Sequence, residues 1–199
     1  MSFNNSNDFE SVNDNNLKIK NIFIDIFDIV VKSLIIILIM TTFVFKVCTV
    51  VGGSMENTLH DKEQLVISNF LYQPKENDVI VFHQTGSLNE PVVKRVIATS
   101  GKWVKIDYDN CILYVSEDNV FDEGDIVDES SYIHLTDDRY NIKGSYSVYV
   151  PDGYLFVMGD NRNHSTDSRF ESIGLVDERT VLGKVILRFA PLDKIGFIK

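Results

Sequence analysis

Two stretches of this sequence pair a hydroxyl nucleophile with a base. In "GGSMENTL", residues 52–59, Ser54 follows two glycines. Gly52 and Gly53 permit positive φ and a close approach of backbone to a ligand, and such backbone can turn N–H groups toward a developing oxyanion. A serine hydroxyl attacks a carbonyl only when a base takes its proton. Lys94 in "PVVKRVIA" (91–98) is the candidate, since strand alternation puts it on one face with Val92 and Val96. Burial there disfavours the ammonium and lowers the pKa from about 10.4, and a three-unit drop corresponds to roughly 4 kcal/mol of differential interaction. Arg95 cannot take this role, because a guanidinium keeps its proton. Taken alone, a lysine on a strand is more often a surface residue.

A third stretch changes that balance. "MGDNRNHSTDSRF", residues 158–170, crowds Asp160, Arg162, Asp167 and Arg169 around Ser165 and Ser168 between apolar runs. Two acids and two guanidiniums at this spacing read as a self-satisfied polar loop with each Asp paired to an Arg. A serine–histidine arrangement is the competing chemistry: His164 adjoins Ser165, and His60 follows Ser54 by six. The two cysteines, Cys48 and Cys111, have no C-x-x-C or Cys/His spacing, so neither a disulfide framework nor a zinc site is expected. No metal or other cofactor is implied.

These residues need a scaffold, and the chain after residue 50 reads as antiparallel β-sheet. Val, Ile, Tyr and Phe dominate eight short runs, at 65–72, 78–83, 91–98, 103–108, 111–115, 145–151, 153–159 and 184–191. Pro, Gly, Asn or Asp separates them, and none sustains a helical period. Residues 117–138 hold nine acids and no Lys or Arg, the pattern of a solvated insertion. The net charge of −10 over 199 residues leaves no basic surface for a phosphate backbone, which excludes nucleic acid as a partner.

Ahead of the β region, residues 1–28 are expected to form a disordered cytoplasmic tail, since its first twenty are rich in Asn, Ser and Asp. "IVVKSLIIILIMTTFVFKV" (29–47) is interrupted only by Lys32 and Lys46 and matches the roughly 20 residues of a transmembrane helix. It lacks the polar face of a soluble helix, and no A-x-A cleavage site follows it. Lys18, Lys20 and Lys32 before it, against Lys46 and Lys62 after it, favour a cytoplasmic N-terminus with the rest exported. Ser54 then lies seven residues past Val47, within roughly 25 Å of the bilayer at about 3.6 Å per residue.

Together the three stretches resemble the bacterial type I signal peptidases, membrane-anchored serine proteases that remove signal peptides from exported preproteins. That family's nucleophile box, S-M-x-P-T-L, is matched by "SMENTL" (54–59) with Asn57 in place of proline. Its lysine box, beginning K-R-V, is matched by "KRVIA" (94–98), and its last box, G-D-N-R-x-x-S-x-D-S-R, by all of "GDNRNHSTDSR" (159–169). The resemblance implies a mainly β catalytic core over 48–105 and 150–199, with 106–149 as a variable, acidic β cap. It implies Ser54 as nucleophile and Lys94 as general base, with Ser165 orienting the amine and Asp160, Arg162, Asp167 and Arg169 holding the loop. The Ser54 amide would stabilise the oxyanion beside Gly52 and Gly53, Gly52 standing where some members carry a hydroxyl. Asn57 would loosen the turn that proline stiffens. Met55, a few residues past the apolar run, fits a membrane or substrate contact and ordinary core equally, and the sequence does not decide between them. Acyl-enzyme cleavage after small residues is implied, at a bacterial cell membrane, near the export machinery and with the catalytic domain outside.

Overall fold

Each of the eight apolar runs overlaps a strand, as expected where β-branched and aromatic side chains pack on a pleated surface. The computed structural model describes residues 6–83, 91–133 and 142–198, without side chains for 6–19 and 43. Residues 1–5 of the expected tail and 134–141 of the expected cap lie outside these.

Helix α1 (Ser6–Ile39) passes at Met40–Val44 into a π-helical turn. It belongs to one unit, and the residues from Phe45 onward form another. Lys32 donates to Asp28 at 2.6 Å one turn back, and the Ser33 hydroxyl donates to the Ile29 carbonyl at 2.8 Å. Two expectations change here. Residues 6–28, read as a structureless tail, are helical, and the span read as 29–47 is broken because 45–47 belong to a strand. Among the described residues no helix is long and apolar enough to cross a membrane. Asp25, Asp28 and Lys32 all fall within the helix's apolar second half.

In the second unit β1 (Phe45–Thr49), β2 (Gln64–Ser68), β3 (Val79–His83) and β4 (Pro91–Ala98) precede β5 (Trp103–Asp107), β6 (Ile112–Ser116) and β7 (Ser145–Tyr149). Then come β8 (Tyr154–Met158), β9 (Val176–Asp177), β10 (Val181–Ala190) and β11 (Gly196–Phe197). The larger sheet runs β1-β2-β10-β3-β4-β8-β9, with β11 on β10, and the smaller runs β6-β5-β7. Every pairing is antiparallel.

Strand β3 lies inside the large sheet and is covered on both faces. Val79 and Val81 join Val50, Leu59, Leu65, Ile67 and Val185 beneath the Ser54 loop. Ile80 and Phe82 pack on the other side with Val96, Leu155, Val157 and Val181. A third cluster, including Val104, Ile106, Leu113, Phe156 and Met158, joins the small sheet to the large one. Met55 belongs to the cluster beneath the Ser54 loop and is 1 % exposed. This decides for the core over the alternative place at a membrane or substrate: burying such a side chain stabilises the fold by roughly 1.5–3 kcal/mol. It pins the loop from below.

Candidate active site

Strand β4 delivers the lysine. It lies between β3 and β8, with Lys94 opposite Ile80 and Arg95 opposite Met158, so neither edge is open, and residues 94–98 are buried on both faces. Lys94 is 3 % exposed, and its Nζ stands 2.7 Å from Ser54 Oγ and 3.0 Å from the Val93 carbonyl. Burial pushes the amine down from its ordinary value to about 8. Asp167 and Asp160 act against that shift and Arg169 acts with it. The outcome is an amine that sheds its proton near pH 8 beside a hydroxyl.

The Ser54 loop is shaped by its own turn and clamped by one residue. Gly52 has φ +84°, and its N–H donates to Asp61 Oδ1 at 2.9 Å. That amide, expected at the oxyanion, is therefore already engaged. The Ser54 and Gly53 amides donate to no group among the described residues. Asn161 donates its backbone N–H to the Ser54 carbonyl and its Nδ2 to the Gly53 carbonyl, each at 3.0 Å. Asn57 takes φ +87°, a left-handed conformation that Asn tolerates and proline cannot adopt. The turn is therefore built differently from the proline turn of the S-M-x-P-T-L pattern.

The 158–170 loop is polar and buried, but its pairing differs from the expected one. Asp167, fully buried, accepts from Arg169 Nε at 2.7 Å and from the Gly159 N–H at 3.0 Å. Asp160 instead takes the guanidinium of Arg95, with Nε at 2.9 Å and Nη2 at 2.7 Å, and the Thr58 hydroxyl. Arg162 pairs with Glu129, from the acidic stretch, and donates Nε to the Gly159 carbonyl at 3.1 Å. Ser168 Oγ accepts the Val157 N–H at 3.0 Å. Ser165 Oγ is buried with no hydrogen-bond partner among the described residues, so the contact expected between it and Lys94 is not made. The Val93 carbonyl holds the amine instead.

Sequence reasoning missed four residues of this arrangement. Arg95 cannot serve as a base, yet a guanidinium 2 % exposed inside a strand needs an acid. Asn161 stands in the matched G-D-N-R stretch, but that pattern does not say which carbonyls it holds. Glu129 was hidden among other acids. Gly159 follows a fully apolar strand, and a Cβ there would overlap both the Ser54 carbonyl oxygen and Ser165 Oγ. His164 is exposed, and His60 Nδ1 lies 3.5 Å from Glu63.

The family model "Signal peptidase, peptidase S26" matches residues 23–190. A probable signal peptidase I of Synechocystis sp. is 33% identical over 82% of this chain and 81% of its own length. Signal peptidase I P of Bacillus subtilis subsp. natto is 32% identical over 90% and 96% respectively. Signal peptidase IB of Staphylococcus aureus (strain MRSA252) is 32% identical over 83% and 88%. The matched region carries the serine loop, strand β4 and the buried polar loop alike, and the chain belongs to the signal peptidase I family of serine peptidases, S26, the enzymes that remove signal peptides.

Proposed function

We propose that Ser54 and Lys94 form the catalytic dyad with which this chain cleaves exported preproteins after small residues. The observation that carries the reading is the 2.7 Å approach of a buried, readily neutral amine to the serine hydroxyl. Unprotonated Lys94 Nζ accepts the Ser54 proton as Oγ attacks the scissile carbonyl. The unengaged Ser54 amide donates to the oxyanion that forms. Lys94 then returns the proton to the leaving amine, giving an acyl-enzyme, and repeats the cycle with water. Asp160 and Asp167, each saturated by a guanidinium, hold the loop against the dyad, together with Arg162 and Arg169.

Helix α1 and the residues after it serve to hold the protein at a lipid bilayer, close to the export machinery and with the catalytic unit on the outer face. Phe27, Ile35 and Leu38, all exposed, support this, and a shared bilayer raises the effective concentration of a membrane-bound preprotein.

The test is the pH dependence of kcat/KM on a soluble peptide with an A-x-A cleavage segment. Only the neutral amine is competent, so activity rises with pH to half its plateau near pH 8. A limb near the ordinary histidine value of about 6.5 that vanishes in His164→Ala would overturn the reading.

A further inference from the structure

The acidic stretch is not only a solvated surface. Glu129 is 11 % exposed at its side chain and Tyr132 is 6 % exposed. One turn presents both, closed by the Tyr132 and Ile133 N–H groups on the Glu129 carbonyl at 3.1 and 2.9 Å. Each meets one arginine of the buried polar loop system. Glu129 receives Arg162 as a two-pronged pair, with Nη1 on Oε2 at 3.1 Å and Nη2 on Oε1. The Tyr132 ring lies under the Arg95 guanidinium at 4.1 Å, and its hydroxyl donates to Glu129 Oε1 at 3.3 Å.

From Arg162 the connection reaches the dyad in two short steps. Its Nε holds the Gly159 carbonyl at 3.1 Å, and Gly159 lies against the Ser54 carbonyl oxygen. Its own carbonyl receives Arg169 Nη2 at 2.7 Å, and Arg169 closes on Asp167, one of the charges facing Lys94. A planar guanidinium held at both edges fixes the direction as well as the position of the loop it belongs to. The geometry points to Glu129 as a positioning residue that acts through Arg162 to hold the 159–169 loop against Ser54 and Lys94. This inference rests on reading those two as the catalytic pair.

Glu129 contacts neither member of the dyad, so its removal slows the chemical step and leaves peptide binding alone. The test compares kcat and KM of the full chain on the A-x-A peptide for wild type, Glu129→Gln, Glu129→Asp and Lys94→Ala, with folding followed by circular dichroism. Glu129→Gln, which loses the charge, should lose about tenfold or more in kcat with KM within about twofold. Glu129→Asp keeps the charge and should recover part of that loss. Wild-type kcat in Glu129→Gln, or a loss that merely follows the unfolded fraction, overturns the proposal. If Glu129→Gln unfolds at the assay temperature, Glu129→Asp carries the test: a folded protein with reduced kcat and unchanged KM supports the role, and wild-type kcat overturns it. Activity retained by Lys94→Ala would instead sink the dyad, whereas an inactive Lys94→Ala beside a fully active Glu129→Gln sinks this proposal alone.

Discussion

Lys94 costs the fold stability, and in the proposed dyad it is the base. Its pKa is near 8 folded against an ordinary 10.5, so the unfolded chain binds the extra proton between those values. The penalty is therefore full below about pH 8 and fades as pH rises toward about 10.5. Replacing the amine with a thioether removes it: Lys94→Met should be more stable than wild type at pH 6–7, by up to about 3 kcal/mol. The gap should close toward pH 10, as followed by urea unfolding across that range. Equal stability at pH 6.5 would mean that the amine is already solvated. Ser54, Lys94 and the members of the polar loop were legible as residue types at suggestive spacings. Their partners were not, because Arg95 to Asp160 and Arg162 to Glu129 are long-range pairs that no local pattern encodes. Met55 stays open in the sequence for a related reason: hydrophobicity alone does not distinguish core from an apolar contact surface.

Strands were readable where turn residues bound them, as in "PVVKRVIA", which is β4 from end to end. Strand β1 was not, because "FKVCT" continues the apolar run of the helix and a short apolar segment fits helix or strand equally. Pairing with β2, from Phe45 opposite Ser68 to Thr49 opposite Gln64, decides for the strand. The serine loop offers a sharper test of element design. Asn57 at φ +87° means that restoring the proline of the related box should harm this protein. Asn57→Pro is expected to destabilise by about 3 kcal/mol or more and to lower kcat/KM, whereas Asn57→Gly, which suits positive φ, should remain close to wild type. Thermal melting and peptide cleavage of the two variants read this directly. A fully active, stable Asn57→Pro would show that the loop adopts the proline-type turn.

At the scale of the whole molecule, the division at Phe45 separates the unit that holds Ser54 and Lys94 from the helical unit for which a bilayer role is proposed. A version beginning at Phe45 keeps β1 and the complete large sheet. It should cleave the soluble peptide at near wild-type rate but process preproteins in lipid vesicles at least about tenfold more slowly, having lost the gain in effective concentration. Equal losses on both substrates would assign α1 to folding instead. The antiparallel architecture and the separate N-terminal segment were visible in composition and periodicity. The boundary of that segment was not, since it is set by the pairing of β1 with β2 and not by the local run. The central claim is tested most directly by preprotein processing with the full chain in vesicles, comparing wild type with Ser54→Ala and Lys94→Ala. Members of one catalytic unit fail together, so both variants should stay folded and lose about four orders of magnitude or more in rate. Processing by Lys94→Ala at near wild-type rate would contradict the account.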